Sequence, residues 1–279
     1  MREIHVNEIT NTVAQLCIKA CVVVAPDIRA CIQRQLDAET GTARQVLEDM
    51  LENQDIATRR KLPICQDTGM AVVFLEIGQD VRLIGGNVAD AVHEGVRRGY
   101  DEGFLRKSVV ADPIKRVNTK DNTPAVIHYD IVPGDGVKIT VAPKGFGSEN
   151  MSRLRMFVPA DGLDAVEAFV LETVTLADAN PCPPIIVGVG VGGTFDYAAN
   201  LAKRALLRKI GSRHPDDFWA DTEARLLEKI NATGIGPGGF GGRTTAMAVH
   251  IGTYATHIAG LPVAVNIGCH VNRHEEAIL

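Results

Sequence analysis

Residues 65–76 read Cys65-Gln66-Asp67-Thr68-Gly69-Met70-Ala71-Val72-Val73-Phe74-Leu75-Glu76, and the chain changes character inside them. Before this stretch the apolar residues repeat at helical spacing. Val13, Leu16, Ala20 and Val24 fall on one stripe, with Cys17 and Cys21 beside them. Pro26 suits the first turn of a second helix reaching Leu36. Gly41 interrupts the pattern, and Val46, Leu47, Met50 and Leu51 resume it from Ala43 to Arg59. From Met70 onward strands appear. Met70–Glu76 and Val81–Ile84 read as strands, and Asn87–Tyr100 as a helix. Ala125–Val132 and Val137–Ala142 read as a hairpin around Pro-Gly-Asp-Gly.

Further on, Leu154–Val158 reads as a strand, Leu163–Asp178 as a helix and Ile185–Val189 as an apolar strand. Helices are expected at Asp196–Ile210 and Asp217–Ile230, then closing strands at Thr245–Ile251 and Pro262–Ile267. The expected fold class is α+β: mixed sheets with flanking helices and a helical N-terminal layer, in one catalytic domain over residues 1–279. No internal repeat, low-complexity tract or linker is visible.

Composition narrows the function classes. A chain of 279 residues can bury a large core. Its net charge of −5 lacks the basic footprint of a general nucleic-acid binder. Its N-terminus has no apolar signal core, and no apolar run reaches membrane-spanning length. These features predict a cytoplasmic protein with neither a nucleic-acid nor a membrane partner. Six cysteines in such a chain point to metal or free thiols rather than disulfides.

The cysteines fall into two groups. Cys17 and Cys21 share a helical face and Cys31 lies on the next helix, where cysteine packs as a small hydrophobe. Cys65, Cys182 and Cys269 adjoin turn-forming residues, in Pro-Ile-Cys-Gln-Asp, Asn-Pro-Cys-Pro-Pro and Ile-Gly-Cys-His. Three thiolates are one fewer than a fully protein-bound [4Fe–4S] cluster needs, which leaves one iron open as a Lewis acid. A single zinc ion also accepts three cysteines.

Gln66 and Asp67 follow Cys65, and a glutamine can hydrogen-bond a carboxylate while an aspartate orients a catalytic group; Asp-Thr-Gly is equally good turn chemistry. Lys144-Gly-Phe-Gly-Ser-Glu-Asn150 offers successive amides as an anion nest, or simply a β-turn. Thr119, Asn122 and Thr123 sit in a polar loop suited to capping. Gly188-Val-Gly-Val-Gly-Gly-Thr194 is read as a loop allowing close backbone approach, since its spacing is not that of a dinucleotide fingerprint. Gly234–Gly242 lacks the ending of a phosphate-binding loop. Arg106 is a candidate fork for a carboxylate. His250, His257, His270 and His274 crowd the last quarter near Cys269.

Taken together, these segments resemble the class I, iron–sulfur fumarate hydratase family, specifically its α subunit or N-terminal catalytic region, which includes the L-tartrate dehydratase α subunit. The matching stretches are Cys-Gln-Asp-Thr-Gly (65–69), Asn-Thr-Lys-Asp-Asn-Thr-Pro (118–124), Lys-Gly-Phe-Gly-Ser-Glu-Asn (144–150), Cys-Pro-Pro (182–184), Gly-Gly-Thr (192–194), Gly-Gly-Arg-Thr-Thr-Ala (241–246) and Pro-Val-Ala-Val-Asn-Ile-Gly-Cys-His (262–270). Phe146 departs from the pattern, standing where many members have glycine.

The resemblance implies a [4Fe–4S] cluster on Cys65, Cys182 and Cys269, and reversible hydration of fumarate to L-malate. Tartrate dehydration and a non-catalytic iron–sulfur sensor are the alternatives. It implies that Gln66, Asp67, Arg106, Gly147 and His257 line the dicarboxylate site. It further implies a β subunit carrying the swivelling C-terminal domain found in longer single-chain members, a dimer of αβ units, and little activity of this chain alone.

Overall fold

The computed structural model describes all residues 1–279. In chain order the elements are β1 (Arg2–His5), α1 (Val6–Val22), α2 (Pro26–Gln35), α3 (Gly41–Arg60), β2 (Met70–Gly78), β3 (Val81–Ile84), α4 (Val88–Glu102), β4 (Val126–Val132) and β5 (Val137–Lys144). They continue with α5 (Phe146–Glu149), β6 (Arg153–Phe157), α6 (Gly162–Ala177), β7 (Ile185–Gly193), α7 (Phe195–Ala205), α8 (Asp217–Asn231), β8 (Ala246–Thr256), β9 (Leu261–Gly268) and β10 (Glu275–Ile278). The expected α+β class holds, with helices leading the chain and mixed sheets behind them. The chain divides into two compact units. One comprises residues 1–25, 53–146 and 273–279; the other comprises 26–52 and 147–272.

In the first unit a four-stranded sheet runs in the order β10-β5-β2-β4. The expected β4–β5 hairpin does not form. β2 lies between the two strands, parallel to β4 and antiparallel to β5. The physical reason lies in β2 itself: its first half is buried on both faces, so it takes the central place and the Pro133–Gly136 connection passes over its end. There Gly78 donates to the Gly136 carbonyl, and a Cβ on Gly78 would sit 2.4 Å from the Gly134 oxygen. β1 and β3 form a separate parallel pair, and β1 and β10 carried no visible strand pattern.

Helices α1 and α4 cover this sheet. Ile9, Val13, Leu16 and Cys17 pack with Val92, Val96 and Tyr100 over Val73, Leu75, Ile139 and Val141. The helices approach closely because α4 presents Gly95 and Gly99 to Thr10, Val13, Ala14 and Cys17 of α1. The stretch Val6–Gln35 does have the length and composition of a membrane span, contrary to the expectation that none does. It is broken at residues 23–25, and 56% of its most apolar window is buried in the fold.

In the second unit the sheet order is β6-β9-β7-β8. β7 runs parallel to β8 and antiparallel to β9. Its two faces differ in kind. Ile185, Val187, Val189 and Val191 enter the core with Phe169 and Val170 of α6 and Leu226 and Ile230 of α8. Gly188 and Gly190 face α7, where a Cβ would meet the carbonyls of Ala202 and Ala198 at 2.2 and 2.0 Å. The segment expected to be a loop at Gly188–Thr194 is therefore mostly strand. Gly188 and Gly190 let α7 pack closely against it.

Candidate functional site

Cys65-Gln66-Asp67-Thr68-Gly69 forms the lead-in to β2, and its shape is set by Gly69. That residue has φ +76°, and a Cβ there would lie 2.7 Å from the Lys144 backbone of β5. Only glycine fits both demands. Asp67 has both carboxylate oxygens engaged: the Gly69 amide donates to Oδ1 at 3.0 Å and the Phe146 amide to Oδ2 at 2.9 Å. Of the loop after β5, the Phe146 amide is thus engaged by Asp67. The Cys65 Sγ donates to Gln66 Oε1 at 3.2 Å. This leaves both Gln66 N–H donors available to a carboxylate.

The buried Tyr100 hydroxyl lies 2.7 Å from the Thr68 carbonyl and 3.0 Å from that of Gly69, supporting the loop from α4. Thr68 in turn donates its hydroxyl to the Arg106 carbonyl at 2.8 Å. Arg106 is exposed, on the segment that follows α4. Cys65, Gln66, Asp67 and Arg106 therefore belong to one bonded assembly in the first unit. Arg273, missed in the sequence, lies close by: a Cβ on Gly145 would lie 3.1 Å from Asp67 Oδ2 and 3.4 Å from Arg273 Nη2. Its position just after the Cys269 segment was the available clue.

In the second unit, Cys182 is exposed at a turn with φ +54°, its amide donating to Ala179 O at 3.0 Å. Cys269 is half-buried immediately after β9. The two turns are tied together, because the His270 amide donates to the Cys182 carbonyl at 3.3 Å and His270 Nδ1 lies 3.1 Å from the same oxygen. Gly147 joins them, with room for a Cβ only 3.4 Å from the Asn180 carbonyl. Asn266 of β9 donates to Glu149 Oε2 and Ser152 Oγ, both at 2.7 Å, and Lys203 holds Glu149 Oε1 at 2.6 Å. This network was invisible in the sequence because its members come from three separate elements.

His257 is placed elsewhere. It occupies the turn before β9, whereas Cys269 follows that strand's other end. Eight residues at about 3.3 Å each separate them by roughly 26 Å. His257 lines a largely apolar cavity of about 410 Å³ with Phe218, Trp219 and Ile258. His250, another crowding histidine, is a core residue with Nδ1 3.2 Å from Ala205 O.

The donors suit a thiolate-bound cluster in kind. Cys65, Cys182 and Cys269 all reach the surface, whereas Cys17, Cys21 and Cys31 are buried. Burial pushes the Cys21 thiol up to about 11 and raises those of Cys17 and Cys31, which keeps all three protonated. No group of three or more His, Cys, Asp or Glu side chains stands ready at metal-ligating spacing.

Comparison with known proteins decides the family. A model of the fumarate hydratase (Fumerase) family matches residues 10–278. The chain belongs to the fumarate hydratase family. It is 41% identical over 273 residues to the putative L(+)-tartrate dehydratase subunit alpha of Methanocaldococcus jannaschii, covering 95% of each chain. It is 34% identical to the L(+)-tartrate dehydratase subunit alpha of Escherichia coli strain UTI89, covering 96% of this chain and 89% of that one. The counterpart in Shigella sonnei is 33% identical. As a member of this family the chain is a hydro-lyase component.

Proposed function

We propose that this chain is the α subunit of a two-subunit iron–sulfur hydro-lyase that interconverts fumarate and L-malate. Residues 1–279 would act as one catalytic domain, in the cytoplasm, beside a β subunit in a dimer of αβ units. The observation that carries the reading is the Asp67 loop: a carboxylate pinned by two backbone amides, flanked by an accessible thiol, a glutamine with free donors and an arginine segment bonded to the same loop. A sensor needs a cluster but not this set of carboxylate-directed groups.

Cys65, Cys182 and Cys269 would hold a [4Fe–4S] cluster, which when bound supplies a Lewis-acidic iron to the departing hydroxyl. The chain's own residues do the rest. Arg106 offers a guanidinium fork to one substrate carboxylate, and the Gln66 amide donates to an oxygen of the same substrate. Gly147 adds a surface without a side chain, which lets substrate lie against backbone. Asp67 stays fixed, so it orients a base or a substrate proton without reorganising. The proton leaving carbon is taken by a group in the completed site, and the carboxylate next to that carbon spreads the resulting charge. His257 would serve a site outside its own subunit, since its strand carries it away from Cys269.

A second reading, dehydration of L(+)-tartrate to oxaloacetate, is favoured by the names of the relatives above. The same residues would serve, with a second substrate hydroxyl to accommodate. The test is a comparison of kcat/KM on L-malate and L-tartrate by the anaerobically assembled enzyme. Turnover of malate at about 10 per second with slower tartrate turnover supports the first reading. The reverse order replaces it with the second, and failure on both removes the hydro-lyase assignment to these substrates.

A further inference from the structure

We infer that Asn122 is the positioning residue that fixes Arg106 against the Cys65–Gly69 loop. Asn122 is fully buried and held at φ +62°. Its Oδ1 accepts the amides of Ser108 at 2.7 Å and Val109 at 3.2 Å, and its Nδ2 donates to the Gly69 carbonyl at 3.2 Å. One side chain thus joins the segment following Arg106 to the loop that carries Gln66 and Asp67.

The neighbours reinforce the clamp. Asn118 Nδ2 donates to the Lys107 carbonyl at 2.9 Å, and the Thr119 amide donates to the Val109 carbonyl at 3.0 Å. The Thr68 hydroxyl closes it on the Arg106 carbonyl. Residues 118–122 therefore run along 107–109 and bind it at successive positions.

The residue type is demanded by the geometry. Asparagine supplies an acceptor and a donor on one short planar group, and it tolerates the left-handed backbone. Aspartate keeps the acceptor and loses the donor to Gly69. Alanine loses both and leaves two amides and a carbonyl buried without them. Arg106 itself is exposed, and the position of its backbone sets where its guanidinium starts from. A displacement of about 1 Å at a positioning group costs on the order of 10²-fold in rate.

The inference rests on the reading of Arg106 as a substrate-carboxylate residue, and its test separates the two. The assembled, anaerobically purified enzyme is compared as wild type, Asn122→Ala, Asn122→Asp, Arg106→Ala and the double variant Asn122→Ala/Arg106→Ala. Amide exchange at Ser108 and Val109 is measured on each chain. Asn122→Ala is expected to lower kcat/KM about 10²-fold, with exchange at those amides at least about tenfold faster and β7 amides unchanged. The double variant is expected to match Arg106→Ala within about threefold, because Asn122 acts through Arg106. Asn122→Asp keeps the accepted bonds but sets a carboxylate oxygen against the Gly69 carbonyl in place of the donor, so a loss in the same direction is expected, and it serves as the second variant if the alanine variant does not fold.

A strong defect in Arg106→Ala with unchanged kcat/KM in both Asn122 variants would overturn the inference alone. So would losses that multiply in the double variant. Full activity of Arg106→Ala would overturn the substrate-site reading and this inference with it.

Discussion

At the scale of residues, the six cysteines separate by environment. Cys17, Cys21 and Cys31 are buried, and burial disfavours their thiolates. Cys65, Cys182 and Cys269 lie at turns with access to solvent. Thiolate character and access govern alkylation. The native apo chain is therefore expected to take iodoacetamide rapidly at Cys65, Cys182 and Cys269 and slowly at the other three, read by peptide mass spectrometry. Fast labelling of Cys17 or Cys21 without unfolding would contradict the packing described. This division was legible in the sequence, because turn-forming neighbours and helical stripes are local signals. The Asn122 clamp was not. Its loop read as capping chemistry, and only the folded chain shows that the capped amides belong to the Arg106 segment.

Among the elements, β7 and β8 show what periodicity conveys and what it hides. The apolar run Ile185–Val189 read as a strand, but the glycines of Gly188–Thr194 read as a loop allowing close backbone approach. Their partner is α7, reached only through tertiary packing. Gly190→Ala would drive a Cβ into the Ala198 carbonyl, with backbone on both sides and little room to yield. Over-packing of this kind costs about 1–3 kcal/mol, and denaturant unfolding should show a loss at or above that range. An unchanged midpoint would mean that α7 lies farther from the sheet. The β4–β5 pairing failed for a related reason: a turn sequence fixes local reversal, not which strand inserts between its arms.

On β8, His250 has its pKa lowered to about 4, first by burial and then by the Arg208 charge, with Glu223 and Asp27 opposing. The unfolded histidine titrates near 6.5, so below that pH the unfolded chain binds a proton the folded one refuses. Stability should therefore fall as pH drops from 6.5 toward 4, by about 3 kcal/mol from this group. His250→Gln should flatten that part of the profile of unfolding free energy against pH. An identical slope in the variant would assign the acid sensitivity to other groups.

For the whole molecule, each of the two units carries part of the proposed machinery. Cys65, Gln66, Asp67 and Arg106 belong to one, and Gly147, Cys182 and Cys269 to the other. The α+β class and most element boundaries were readable because each unit is built from amphipathic segments with clear periods. The division into units was not, since both are assembled from separated stretches of chain. Family membership follows from a match spanning nearly the entire sequence, while the chemistry turns on whether three thiols hold one open-iron cluster. Anaerobic iron and sulfide analysis of the purified chain, on wild type and Cys65→Ser, tests this most directly. The account predicts about four irons and four sulfides per chain in the wild type and loss of the cluster's visible absorption in the variant. Stoichiometric zinc, or no metal after anaerobic reconstitution, would contradict it.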